Sequence, residues 1–172
     1  MPTLEALMPF GLNDLTEELF ASIIMLLEAS RETSALILIY SGIDILGALD
    51  TEGGEATRGS FVTWAESYMT PSTKLGCSGL ELYSARCGLL HTMSSETRLT
   101  KDGAARQFAY VTYPPFFPEE NVPGPDFVVH VGTLWLAFRD GAKQFVTDAT
   151  SDPSRSERIE RNLDNVYFTR KR

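Results

Sequence analysis

Two side chains in ELYSARCGLLHTM, residues 81–93, suit proton transfer beside a negative charge: Arg86 and, five positions on, His91. Histidine exchanges protons near neutral pH, while arginine keeps its charge at any pH a protein meets. Together they fit general acid-base work next to an anion, with no metal required. A helix must bring them to one place for that. With about 100° of rotation per residue, Leu82, Tyr83, Arg86, Leu89, Leu90 and Met93 share one side, so Arg86 falls within an apolar stripe. A guanidinium there needs an acceptor, because an unpaired buried charge is costly. Asp44, in SALILIYSGIDILGAL (34–49), is in line with Ile37, Tyr40 and Gly47 and is the obvious partner; such a pair would fix the register of two helices.

By the same rotation His91 lies about 140° round from Arg86, on a face shared with Ser84, Cys87, Gly88 and Ser95. Small residues at Ser84, Ala85 and Gly88 would let another helix or a ligand approach the backbone. Alternatively, His91 satisfies a carbonyl at the helix end, where the macrodipole favours it. The rotation predicts that Arg86 and His91 of one chain stay apart. A joint site then requires an unwound turn near Gly88 or a second copy of the chain. The other histidine, His130 in DFVVHVG, alternates away from Phe127, Val129 and Val131 and reads as an exposed or edge-strand residue. TEGGEATRGS lacks the spacing and lysine of a phosphate-binding loop, and no serine sits in a nucleophile elbow.

The elements that would carry these residues are mainly helical. Asn13 followed by Asp14, Glu17 and Glu18 predicts a helix start, with Leu15, Leu19, Ile23, Leu26 and Leu27 on one stripe to about Ser30. The run 34–49 is apolar nearly all round, which predicts a central buried helix; it is short for a bilayer and carries Asp44, so no membrane span is expected. DTEGGEATRG is a loop, Ser60 caps a third helix bearing Phe61, Trp64 and Tyr68, and Pro71 ends it. A fourth helix runs from about Gly79 to Met93. Then RQFAYVT (106–112) and DFVVHV (126–131) favour strand and predict an antiparallel pair joined by a long loop. Thr133 caps a helix through Leu134, Phe138, Ala142, Phe145 and Ala149, although TLWLAFR alone could be strand. Asp152 and Pro153 open a last helix. The expectation is one domain over 1–172: a helical bundle core at 13–95, a hairpin-like insertion at 104–131 and C-terminal helices at 133–166.

The 172 residues, 43% hydrophobic and 22% charged, suffice for one domain with a core. Cys77 and Cys87, with no zinc-like spacing and no secretory signal, predict free thiols, no metal or cofactor and a cytoplasmic setting. The net charge of −8 is uneven: 1–66 holds eleven acids and two bases, and 67–172 twelve acids and thirteen bases. This argues against tight backbone-reading of nucleic acid by overall charge but leaves room for a small basic site. The tail RSERIERNLDNVYFTRKR, six bases to three acids, could touch RNA or a partner, or form a solvated helix with pairs at i, i+3 and i+4.

RCGLLH, an arginine and a histidine separated by four residues near the end of a bundle helix, resembles the HEPN superfamily, whose Arg-x4-6-His motif marks metal-independent ribonucleases of toxin and antiviral systems. LYSARCGLLH after a helix carrying SGIDILG is also similar to small bacterial HEPN-like proteins, and the resemblance covers about 13–95. It implies a homodimer with a shared groove along this helix. It further implies that His91 acts as general acid or base on the ribose 2′-hydroxyl or the leaving oxygen, that Arg86 stabilises phosphate charge, and that the product is a 2′,3′-cyclic phosphate. Arg58, Tyr83 and Arg98 are further groove candidates, Asp44 is structural or orienting, and an antitoxin-type protein is a possible partner. The competing reading is a non-catalytic HEPN-like module that binds RNA, a nucleotide or a protein; the acidic N-terminal half and Cys87 favour it. An enzyme acting on a small nucleotide through the same pair is a third.

Overall fold

A computed structural model describes residues 11–71, 75–112 and 126–166. The element order is α1 (Leu12–Glu28), α2 (Glu32–Leu49), α3 (Arg58–Tyr68), α4 (Gly79–Thr92), α5 (Arg98–Lys101), β1 (Phe108–Val111), β2 (Phe127–His130), α6 (Val131–Ser151) and α7 (Pro153–Val166). The protein is mainly helical, with one small two-stranded sheet among the described residues.

The apolar run of α2 puts it at the centre, against α1, α3, α4, α6 and α7. Ala35, Leu36, Ile39, Tyr40, Ile43 and Leu46 are buried there. By length and composition α2 could cross a bilayer; in this bundle 56% of it is buried. Gly47 explains the close approach of α3, because a Cβ at that position would lie 2.8 Å from the Ser60 carbonyl oxygen. On the far side α6 contributes Leu134, Phe138, Ala142 and Phe145, all fully buried. The start of α3 differs slightly from expectation. Thr57 is its cap, accepting from the Ser60 amide at 3.0 Å, and the Ser60 hydroxyl reciprocates by accepting from the Thr57 amide at 2.8 Å.

The two strands are parallel, not antiparallel, with Phe108 opposite Phe127 and Val111 opposite His130. The Phe127 amide donates to the Gln107 carbonyl at 3.1 Å. A parallel pair needs a crossover of about a dozen residues or more, and the stretch 112–126 is long enough, so no hairpin forms at 104–131. The short α5 is capped by Thr97, whose side chain accepts from the Thr100 amide. TLWLAFR is helix, and α6 begins directly after His130 rather than at Thr133.

The start of α7 follows the expected signal: the Asp152 carboxylate accepts from the Ser154 and Arg155 amides at 3.0 and 3.2 Å. Its arginines are not a solvated ladder. Arg155 grips Asp50 with two nitrogens at 2.8 and 2.6 Å, Arg158 reaches Asp50 at 2.9 Å, and Asn162 donates to the carbonyls of Leu49 and Thr51 at 3.0 and 2.8 Å. Arg158 also pairs with Glu52 at 3.2 Å. Acids of the N-terminal half and bases of the C-terminal half therefore meet within one chain. The last residues of the basic tail, 167–172, lie outside the described residues.

Candidate functional site

Helix α4 presents Arg86 and His91, and both its ends are strongly defined. At its start the Ser78 hydroxyl accepts from the Glu81 amide at 3.3 Å while the Glu81 carboxylate accepts from the Ser78 amide at 2.8 Å, a reciprocal cap. Arg106 then clamps Glu81 through Nε at 2.5 Å and Nη2 at 3.0 Å. That hydrogen bond, partly opposed by burial and helped by Ser78, lowers the Glu81 carboxyl to about 2. At the other end Met93 adopts φ 51°, in the left-handed region, and the chain turns back on itself, with the Ser94 amide donating to the Gly88 carbonyl at 3.1 Å.

That reversal determines what covers the small-residue face. The hydroxyls of Ser84 and Thr97 lie 2.6 Å apart, and Ser84 is almost wholly buried. At Gly88 a Cβ would overlap the Ser94 carbonyl oxygen and crowd the Thr97 methyl. So the residues expected to admit another helix or a ligand at Ser84 and Gly88 admit the protein's own 94–97 segment instead.

Arg86 is anchored as the helix stripe predicts. Its Nε donates to the Asp44 carboxylate at 2.7 Å, with the two side chains 21% and 13% exposed. Partial burial works against the cation, but the Asp44 carboxylate, by hydrogen bond and by charge, outweighs it and raises the Arg86 pKa above its ordinary value. The same guanidinium also reaches His91: Nη1 lies 3.1 Å from His91 Nε2. This corrects the expectation that the pair cannot meet in one chain. Helical rotation describes where Cβ atoms point, but side chains lean toward the helix N-terminus. Five residues are about 7.5 Å of rise, and the combined lengths of the arginine and histidine side chains close that gap. Because guanidinium can only donate, His91 Nε2 is the acceptor and Nδ1 carries the proton in this contact.

Tyr83 stands beside Arg86. The guanidinium carbons of Arg58, at the start of α3, and of Arg86 each lie 6.0 Å from its ring centroid. Its ring packs edge-on to Phe61 at 5.5 Å. Burial, then contact with the Cys87 thiol, raises the Tyr83 phenol pKa. Thus Asp44, Arg58, Tyr83, Arg86 and His91 form one connected group. Arg98 does not join it: it is 94% exposed on α5, pairs with Asp102 at 3.6 Å, and makes no contact with Arg86 or His91 among the described residues. Sequence reasoning missed the role of Cys87 here, although its place four residues after Tyr83 on one helix face is a usable signal. His130 is half-buried at the end of β2, an edge strand of the two-stranded sheet, so the edge-strand alternative holds and full exposure does not.

Among the described residues, a cavity of about 240 Å³ runs between Ala85 and Leu89 of α4, the following Met93, and strand β1, and another of about 270 Å³ lies among Gly47, Asp50, Thr63, Ser67, Tyr68 and Arg155. Neither is lined by Arg86 or His91, and His91 is exposed. Among the described residues no three His, Cys, Asp or Glu side chains gather as a metal-binding group. Fold and site together define a mainly helical protein with a surface Arg/His pair anchored by a carboxylate. The chain matches no family model, no curated protein and no solved structure.

Proposed function

We propose that this protein is a HEPN-like, metal-independent endoribonuclease in which His91 moves the proton and Arg86 holds the phosphate. The observation that carries this reading is the 3.1 Å contact between Arg86 Nη1 and the exposed His91, with Arg86 braced from behind by Asp44. Of the five N–H groups of a guanidinium, one goes to Asp44 and one to His91, so others are left for a phosphate oxygen. When a phosphate takes the Arg86 hydrogen bonds, the His91 Nε2 lone pair is released as a base. It removes the ribose 2′-proton, the 2′-oxygen attacks phosphorus, and the bond to the 5′-oxygen breaks. The leaving oxygen takes up a proton from water, His91 afterwards gives the proton it accepted back to solvent, and the products are a 2′,3′-cyclic phosphate and a 5′-hydroxyl. Arg86 stabilises the charge that builds on the phosphate oxygens.

The open placement of the pair favours a polymer over a small nucleotide, which binding sites usually enclose in a pocket. A homodimer is no longer needed to bring arginine and histidine together. With a two-fold axis near α4, a second copy would instead supply a second His91 to protonate the leaving oxygen. The test is incubation of mixed RNA in EDTA with the native protein and with His91→Ala. New cyclic-phosphate ends from the native protein, lost in the variant, support the reading. Equal cleavage by both overturns it.

A second reading, a non-catalytic HEPN-like interaction module, is favoured by one fact: the Arg86 charge is already compensated by a largely buried Asp44. Under that reading Arg86→Lys lowers stability, and no RNA is cut by the native protein.

A further inference from the structure

The cavity of about 270 Å³ where α2, α3 and α7 meet is lined by a buried polar group that no described residue satisfies. Trp64 is 2% exposed, and its indole N–H has no acceptor among the described residues. Such a group is costly to bury, and native proteins rarely leave one unmatched. Phe138 and Phe145 of α6 pack on the indole and offer it no oxygen or nitrogen. The cavity is the side from which an acceptor can come. Arg155, on the α7 wall, has donors to spare as well. Its Nε and Nη2 donate to Asp50 at 2.8 and 2.6 Å, and Nη2 also donates to the Tyr68 hydroxyl at 2.7 Å. Of five N–H groups, the two on Nη1 then have no acceptor among the described residues. Asp50 is shared between Arg155 and Arg158, and Glu52 between Arg158 and Arg161. That ion-pair cluster holds three arginines to two acids.

We propose that this cavity binds a small organic monocarboxylate with an apolar body, one oxygen taking the Trp64 N–H and the other the Nη1 groups of Arg155. A single negative charge matches the single arginine in excess. The apolar body has two rings to lie against, Trp64 and Tyr68, one turn apart on α3 with centroids 5.4 Å apart. One water occupies about 30 Å³ of liquid, so the space is several waters large. It is near the lower end of the range for ligand pockets, which suits one ring or a short chain. Thr63 and Ser67 at the rim are exposed and leave an entrance on the α3 side. The cavity contains neither Arg86 nor His91, and the proposal does not rest on the ribonuclease reading. Because the ligand would bridge α3 and α7, its binding should also stabilise the fold.

Benzoate and butyrate are the probes, with benzamide and inorganic phosphate for comparison, each titrated into the full chain. Trp64 and Trp135 are the two tryptophans, so two indole N–H resonances appear in the proton–nitrogen NMR spectrum, and Trp135→Phe tells them apart. Benzoate or butyrate should move the Trp64 resonance saturably with a Kd of about 1 mM. At about 10 mM the same probe should raise Tm by about 3–6 °C. Benzamide, which has the shape of benzoate without its charge, should bind about tenfold more weakly. Ser67→Phe, at an exposed rim position, fills the entrance and should abolish the shift. Trp64→Phe keeps a ring but removes the N–H, and by Tm it should weaken binding about fivefold. No movement with either carboxylate, an equal response to benzamide, or a shift that persists in Ser67→Phe would overturn the proposal and leave only water for the indole. Tighter binding of inorganic phosphate than of either carboxylate would also overturn it, in favour of a phosphate ligand.

Discussion

Asp44 and Arg86 should be energetically coupled by about 1–3 kcal/mol, and a double-mutant cycle measures it. The perturbations are Asp44→Asn, Arg86→Met and the two combined. Two unit charges about 4 Å apart attract by about 4 kcal/mol at an effective dielectric of roughly 20. Desolvation offsets part of this: the side chains are 21% and 13% exposed, so the pair is neither a surface contact worth under about 1 kcal/mol nor a fully buried one. Either single variant should therefore cost about 2 kcal/mol, since each leaves a partner behind, and the double variant clearly less than the sum. In a chain of this size that is a fall of roughly 2–4 °C in Tm per kcal/mol. Urea unfolding of the four proteins at neutral pH and low salt is the assay. A coupling energy within about 0.5 kcal/mol of zero would refute the anchoring of Arg86, and with it the reason its guanidinium stays aimed at His91.

Gly88→Ala should destabilise by about 2–4 kcal/mol despite the roughly 1 kcal/mol that alanine gains in helix propensity, because its methyl group would overlap the Ser94 carbonyl; thermal melts showing equal or higher stability would contradict the reversal after α4. Glu81, held near 2 by Arg106 against an ordinary 4.5, contributes stability that is complete above about pH 4.5 and is lost as pH falls toward 2. After allowance for solvent screening this is about 1–2 kcal/mol, and urea titrations from pH 6 to pH 2 should show it in the native protein and not in Glu81→Gln. Identical pH slopes would mean that the clamp does not act on folding.

Much of the helical frame was legible in the sequence because apolar spacing reports which face is buried. The stripe of α1, the all-round apolarity of α2 and the Asp152-Pro153 start of α7 each appear where those patterns place them. The Asp44 to Arg86 pair was legible for the same reason: a charge inside an apolar stripe demands a partner. Strand direction was not, since alternation along RQFAYVT or DFVVHV describes a half-buried strand whatever the sense of its neighbour. The meeting of Arg86 and His91 was hidden because rotation about an axis says nothing of side-chain reach. Nor could the cover over Ser84 and Gly88 be foreseen. The left-handed turn that produces it is made by Met93, without the glycine that usually signals a helix end. The uneven charge carried a message that became readable only in three dimensions, where Asp50 and Glu52 receive the arginines of α7.

The central claim, that His91 and Arg86 drive attack by a ribose 2′-hydroxyl, is tested most directly on a DNA strand containing one internal ribonucleotide. Mass spectrometry of the products, in EDTA, should show a single cut on the 3′ side of that nucleotide, leaving a 2′,3′-cyclic phosphate, and no cut with His91→Ala. Cleavage at deoxyribonucleotides, a cut that survives in His91→Ala, or an intact strand with the native protein would contradict it.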